Sequence, residues 1–419
     1  MQSQRTVSFD SQITDAESPQ ASRFPVPPET LRRGSENSSL VSTPPATTLS
    51  PVSTGRQYLS LQQLTSPSEE PSSAYRPAIP MSQIRSRPAN YHRQQRERTK
   101  HSLECGKNLT AHFLGLGGEQ DSNLVASIRY NVLNETKFID FNIRQVYGGD
   151  PIQGKPPIHF SILSDTFPER DQQVKRQASD AIENIVGQHG DALIRLYFRF
   201  VHPVLPVISK AGFLSSYATN KLSIAASLRG AVYGLACAFW SQDPSLSTYP
   251  CVSQPDLFDH THAALNREMD SPKLSTLQAC LLALHEQPDV HGTTESPRIW
   301  VLACQATACA QSLGIHQDPS LWRLPPWEIK LRKRLWWATY AGDTWTSICH
   351  GQTPHITSSS FDTTFLDMDD LASDEDVVGL PGEYLVAEKD RMFNNRNGYG
   401  YIEAIKLTKI LADLVNGFL

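Results

Sequence analysis

From residue 168 onward, apolar positions recur at helical spacing, and the breaks between them carry helix-end residues. Val174, Ala178, Ile182 and Ile185 stand at i, i+4, i+8 and i+11, and Gly187 marks the stop. Asp191 is placed to cap a short helix carrying Leu193, Tyr197 and Phe200, which Pro203 ends. Ser271-Pro272 predicts the start of a helix through Leu274, Leu277, Leu281 and Leu284. Ser296-Pro297 predicts another through Trp300, Ala303, Thr307 and Ala310, closed at Gly314. Pro325 and Pro326 precede a long pattern through Leu331, Leu335, Ala338, Gly342, Trp345 and Cys349, with Gly351 and Pro354 beyond it. A serine N-cap satisfies free amides, proline is pre-set for a first turn, and glycine accepts the left-handed conformation past a last turn. Helices of this kind with short connections predict an all-α, multi-helix domain over 168–419.

The stretch before it has another period. Ile139, Phe141 and Ile143 alternate with Asp140, Asn142 and Arg144, as on a half-buried strand, and Phe160 and Ile162 follow a turn-rich GGDPIQGKPP. A small β element is predicted at 124–167, inside a linker spanning 101–167. Gly115-Leu116-Gly117-Gly118 has no following Lys-Ser/Thr and no framing βαβ unit, so it is no phosphate loop.

Composition changes the picture of the first hundred residues. Residues 1–90 hold 12 of the 29 prolines, with 18 serines and 8 threonines, and no tryptophan precedes Trp240. Such a segment cannot bury enough apolar surface to offset its ordering entropy, so 1–100 is expected to be a disordered tail. Ser18-Pro19, Thr43-Pro44, Ser50-Pro51 and Ser66-Pro67 have the form of proline-directed phosphorylation sites, and Arg32-Arg33-Gly34-Ser35 that of a basophilic one. Charge divides at the same place. Residues 1–100 carry 12 Lys/Arg against 8 Asp/Glu, whereas 101–419 carry 26 against 35, a net of −9. An acidic body is a poor nucleic-acid platform, because phosphate contacts supply most non-specific affinity. Weak, non-specific DNA contact is therefore assigned to a basic arm at 85–100, with Arg93, Arg96, Arg98 and Lys100 as candidates. The same arm also reads as a nuclear-import signal, or as a plain solvated linker.

The seven cysteines include no C-x-x-C pair and mostly lie in apolar helical patterns, as expected of a reduced, intracellular protein. The N-terminus has no apolar signal region, and the longest apolar run, 225–240, is short and contains Arg229, so no membrane association is expected. His260-Thr261-His262 is too close-set for one helix face, and His285-Glu286 lacks a second histidine four residues on. No serine nucleophile elbow is present. The expectation is no enzyme, no catalytic residues, and neither a cofactor nor a metal site.

Two charged strings remain. Arg332-Lys333-Arg334-Leu335-Trp336-Trp337 reads either as a basic patch with stacking aromatics or as a buried face of Leu335, Trp336 and Tyr340 with arginine stems over rings. The packing reading is preferred, and Asp343 in the same apolar stretch is expected to pair with an arginine. DMDDLASDED at 367–376 reads as a solvated acidic loop, or as an activation or inhibitory contact.

Taken together, residues 298–356 resemble the middle homology region of fungal zinc-cluster (Zn2Cys6) transcription factors. The resemblance is carried by Ala310, Leu313, Gly314, His316, Asp318 and Pro319, by Arg332 or Arg334 before Trp336-Trp337, and by Tyr340 with Asp343. LYFRFVHPVLPVISKAGF at 196–213 is similar to the start of that region, and the resemblance covers roughly 190–419. NETKFIDFNIRQVY and PPIHFSILSDTFPERD also resemble TamA-type regulators of nitrogen-source use. The resemblance implies a nuclear regulator of RNA polymerase II genes whose helical region controls activity, sometimes through a metabolite or partner. In such families DNA is read by a six-cysteine, two-zinc cluster. This chain has only Cys105 before Cys237, so it holds no such cluster, and Gly351-Gln352-Thr353-Pro354 replaces the usual glycine-arginine-proline. The final amphipathic pattern, Ile405, Leu407, Ile410 and Leu414, runs to the last residues. A fragment, a truncated gene model and a regulator that lost its cluster all stay open. The expected partners are DNA, through the family's cluster or a recruiting transcription factor, other regulatory proteins, and a second copy in a dimer. The alternative is a helical co-regulator or adaptor that does not bind DNA.

Overall fold

The computed structural model describes residues 102–418 apart from stretches between 105 and 140, residues 165–167 and residues 288–295. The tail 1–100 with its basic arm, Cys105 and the segment Leu116-Gly117-Gly118 lie outside the described residues.

Four short strands come first: β1 (Leu109–Leu114), β2 (Glu135–Lys137), β3 (Asn142–Tyr147) and β4 (Ile158–Ser164). They form one antiparallel sheet in the order β1-β4-β3-β2, with Phe113 opposite Phe160 and Ile143 opposite Ser161. The sheet is larger than the alternation predicted, because it recruits β1 from outside 124–167. Both of its faces are covered. Ala111, Val146, Ile158 and Phe160 pack on one side with Trp322 and Leu324, and Leu114, Val125 and Ile143 on the other. Double coverage blurs the polar-apolar alternation, as in β4, where Ile158 to Ser161 are all buried. The two segments resembling TamA-type regulators contain β2 and β3, which pair antiparallel, and β4 with the first residues of the next helix.

The remainder is helical, as expected: α1 (Pro168–Val186), α2 (Gly190–Leu196) running into a π turn at Tyr197–Val201, α3 (Lys210–Asn220), α4 (Ala226–Cys237), α5 (Gln254–Glu268), α6 (Leu274–Ala283), α7 (Pro297–Ser312), α8 (Pro326–His350), α9 (Met368–Ala372) and α10 (Asn395–Phe418). Ser296 accepts from the Arg298 amide, so the serine-capped start expected there holds at α7, and Ser209 and Ser253 cap α3 and α5 in the same way, from the amides of Gly212 and Asp256. Two starts differ from expectation. Helix α2 begins at Gly190 with His189 before it and no side-chain cap, and Asp191 sits in its first turn. Helix α6 begins at Leu274, where Thr276 Oγ1 accepts from the Lys273 amide at 3.2 Å, two residues beyond Ser271-Pro272. There the local hydrogen bond of Thr276 won over the Ser-Pro signal.

Helix α4 is the hub, and every one of its residues is buried. Its two glycines allow α5 to approach closely: a Cβ at Gly230 would meet Thr261 Oγ1, and one at Gly234 would stand 2.7 Å from the Phe258 ring. Helix α10 does not bury the pattern expected of it. Ile405 is buried, but Leu407, Ile410 and Leu414 are exposed, because the face turned inward carries Tyr401, Ile402 and Ala412 instead. Among the described residues, all six cysteines are free thiols, and no helix is long and apolar enough to cross a membrane.

Candidate functional site

Helix α8 carries the signature string, and its charges point into the protein. Arg332 Nε and Nη2 donate to Glu328 Oε1 at 2.9 and 2.8 Å, and Nη1 donates to the Leu313 carbonyl at 2.8 Å. The guanidinium lies over the Phe160 and Trp322 rings, 5.8 and 5.9 Å from their centroids, so arginine-over-ring packing is realised here. Glu328 also accepts from the Leu103 amide at 3.2 Å, which ties the sheet layer to α8. Glu104 closes this corner 3.6 Å from Arg332; burial and the Glu328 charge push its carboxyl above the usual range, against the pull of Arg332.

The next two basic residues meet the acidic string. Lys333 Nζ is 2.5 Å from Asp370 Oδ2, and Asp370 also caps α9 reciprocally with Asp367. Arg334 Nη1 donates to Glu375 at 3.4 Å, and the same carboxylate holds His202 Nε2 at 2.9 Å and Lys210 Nζ at 3.6 Å. Burial alone would raise the Glu375 carboxyl, but His202, Arg334 and Lys210 outweigh it and hold it below the usual range. The 367–376 string is therefore not simply a solvated loop, since Asp370 and Glu375 are the buried counter-charges of 333–334.

Asp343 corrects a second expectation. Its partners are the Ile356 amide at 2.8 Å and His355 Nδ1 at 2.7 Å, not an arginine. Gly351 at φ +62° turns the chain so that 355–356 fold back onto α8, which puts the amide within reach before any arginine. The tryptophans behave as packing residues. Trp336 is 0% exposed against Phe361, and Trp337 donates Nε1 to the Thr364 carbonyl at 2.9 Å while packing edge-on against Phe365.

The loop before α8 is fixed by shape. Gly314 has φ +68°, and a Cβ there would stand 2.9 Å from Phe113 and 3.0 Å from Phe160. His316 packs edge-on to Phe113, and burial pulls its imidazole down to about 4.

Beside the Glu375 cluster lies a half-open cleft of about 60 Å³. The π turn, the start of α3, the end of the acidic string and the first turns of α10 line it, with Phe198, His202, Lys210, Glu375 and Tyr401 prominent. None of these was singled out as a site residue from sequence. The one legible signal was the pair of opposite-sign strings, and the sequence does not say that they face each other.

Arg93, Arg96, Arg98 and Lys100 lie outside the described residues. Among the described residues, no group of three metal-ligating side chains occurs, whereas a two-zinc cluster needs six thiolates gathered around its metals.

Among curated proteins, the chain is similar to the transcriptional activator protein DAL81 of Saccharomyces cerevisiae, 27% identical over 319 residues, which covers 73% of this chain and 31% of that protein. It is similar to an uncharacterized transcriptional regulatory protein of Schizosaccharomyces pombe, 28% identical over 226 residues, 54% of this chain and 32% of that protein. Cutinase transcription factor 1 alpha of Fusarium vanettenii is 26% identical over 189 residues, 44% of this chain and 20% of that protein. The chain thus spans about a third of the length of the first two. No solved structure matches it. Residues 194–419, more than half of the chain and including Arg332, Lys333 and Arg334 with Glu328, Asp370 and Glu375, match the fungal-specific transcription factor domain, and the chain belongs to that family.

Proposed function

We propose that this chain is the regulatory portion of a fungal transcriptional regulator, working in the nucleus through other regulatory proteins or an effector rather than by reading DNA itself. The observation that carries the reading is the inward orientation of Arg332, Lys333 and Arg334. Their charges are spent on Glu328, Asp370 and Glu375, so the most basic string of the body is not offered to phosphates. The −9 body opposes a nucleic-acid surface in the same direction. The family and the relatives' names are those of transcription regulators rather than enzymes. Arrival at promoters then depends on a recruiting protein bound to the helical body. The second reading is a helical co-regulator or adaptor that joins another regulator and never contacts DNA.

The test is promoter occupancy in cells. The intact chain is compared with a version in which Arg93, Arg96, Arg98 and Lys100 are neutralised and nuclear import is restored by an added signal. Occupancy is expected to persist. Its loss with the body still folded, or tight binding of the purified chain to one promoter sequence at physiological salt, refutes recruitment through the body. Absence from every promoter in both versions, with the body still bound to another regulator, favours the adaptor.

A further inference from the structure

Two of the free thiols are neighbours. Cys237 is the last residue of α4 and is buried, and Cys251 stands exposed three residues before the first residue of α5. Cys251 Sγ donates to the Cys237 carbonyl at 3.9 Å, and the two thiols also meet each other through a side-chain hydrogen bond. The loop between them is folded back on itself by bonds that do not involve sulfur. Trp240 Nε1 donates to the carbonyls of Leu246 at 2.9 Å and Tyr249 at 3.1 Å, and Gln254 Nε2 donates to the Gly234 carbonyl at 2.7 Å. Little further ordering of the chain is needed to join the two sulfurs.

The pair combines what a dithiol site needs, one sulfur open to an oxidant and a second within reach to resolve the product. Cys280 and Cys309 also influence each other, but at 0% and 4% exposure neither meets an oxidant. Cys304 and Cys349 are exposed, on α7 and near the end of α8, and serve as internal controls.

We propose that Cys237 and Cys251 form a reversible disulfide when the protein meets a peroxide, and that this bond locks the corner between α4 and α5. Cys251 reacts first. Its sulfur takes an oxygen from hydrogen peroxide as the O–O bond breaks, which gives a sulfenic acid and one water. Cys237 Sγ then attacks that sulfur; the S–S bond forms, the S–O bond breaks, and the thiol proton leaves with the hydroxyl as a second water. In all, two thiols lose two electrons and one peroxide is reduced to two waters.

Burial raises both thiols above the ordinary cysteine range, so little thiolate is present at neutral pH and the first step is slow. The same property makes each sulfur a poor leaving group, so the disulfide, once made, exchanges slowly with small thiols. The pair therefore suits a lasting oxidative mark rather than a fast response. Its position gives the mark a consequence. Every residue of α4 is buried, and Gly230 and Gly234 seat α5 against it, so the bond tightens the contact around which the helical body is built. The proposal does not depend on what the body recruits.

The purified full chain is reduced, freed of reductant and treated with about 1 mM hydrogen peroxide at about pH 8, where more thiolate is present. Free thiols are then alkylated and the digest is read by mass spectrometry. The dominant link is expected to join the Cys237 and Cys251 peptides. The melting midpoint is expected to rise by roughly 5 °C and to return on adding dithiothreitol. Cys304→Ser keeps both results. Cys251→Ser, at an exposed position, loses both, and its Cys237 stays reduced under conditions that oxidise the parent. If Cys251→Ser fails to fold, the peptide map and melting of the parent decide alone. A folded, treated chain without this link, a mixture of links like that formed in urea, a link that leaves the midpoint unchanged, or a rise that survives in Cys251→Ser overturns the proposal.

Discussion

Replacing Asp370 by asparagine isolates the energetics of the buried charge lattice. Asparagine keeps the volume and can still accept the Asp367 amide, so the change removes charge and little else. The partner left behind, Lys333, has a side chain 8% exposed, and Asp370 itself is 7% exposed, with 2.5 Å between the charged atoms. Removing one member of a pair so far from water strands an uncompensated ammonium, which typically costs ~3–5 kcal/mol. The cost is expected to be the same at 0.1 M and 1 M salt, because screening acts on pairs open to solvent. Adding Lys333→Met removes the stranded charge, and the double variant is expected to return to within ~1 kcal/mol of the parent. Urea unfolding followed by tryptophan fluorescence reads all three proteins. A single variant losing less than ~1 kcal/mol, a loss that vanishes in high salt, or a double variant no better than the single would mean that Lys333 faces solvent. The case against a nucleic-acid patch on α8 would then collapse.

Trp336→Ala should destabilise the body by ~3–5 kcal/mol, the usual range for truncating a large aromatic in a core; a variant that melts like the parent but loses nucleic-acid binding would restore the stacking-patch reading. Burial holds His159 and His316 at about 4, so below the ordinary imidazole value the unfolded chain takes up protons that the folded one refuses. Stability is therefore lost as pH falls from about 6.5 toward 4, by about 2 kcal/mol per histidine at pH 5, and His316→Gln should flatten that slope in a pH series of melts. Glu375 acts lower on the scale: its depressed carboxyl contributes stability that is present above about 4.5 and lost as pH falls through the folded value, so Glu375→Gln should remove part of the steepest acid loss. Gly314→Ala forces a Cβ into the Phe113 and Phe160 rings at positive φ, and it should loosen the sheet from the body, read as faster amide exchange in β1 and β4 at a cost of roughly 1–3 kcal/mol.

The helical class was legible in the sequence because α-helices are local. Serine caps, Pro325-Pro326 and the glycines at 314 and 351 mark ends within a few residues of the hydrogen bonds they serve, and α7 and α8 fall where those signals place them. The burial of Trp336 was legible for the same reason, from its place on one helical face with Tyr340. What escaped depends on contacts distant in sequence. Strand β1 is buried by a partner some fifty residues on and by Trp322 from the helical region, so its own pattern carried little period. Asp343 found an amide thirteen residues away and an imidazole twelve residues away rather than an arginine, because the turn at Gly351 delivers them first. The two charged strings could be read one at a time as a patch and a loop. Only the docking of 367–376 against α8 made them counter-charges, and only the arrival of α10 beside α3 enclosed the cleft. Charge sign is a local property of sequence, but whether a charge is solvated or neutralised depends on which other segment folds against it.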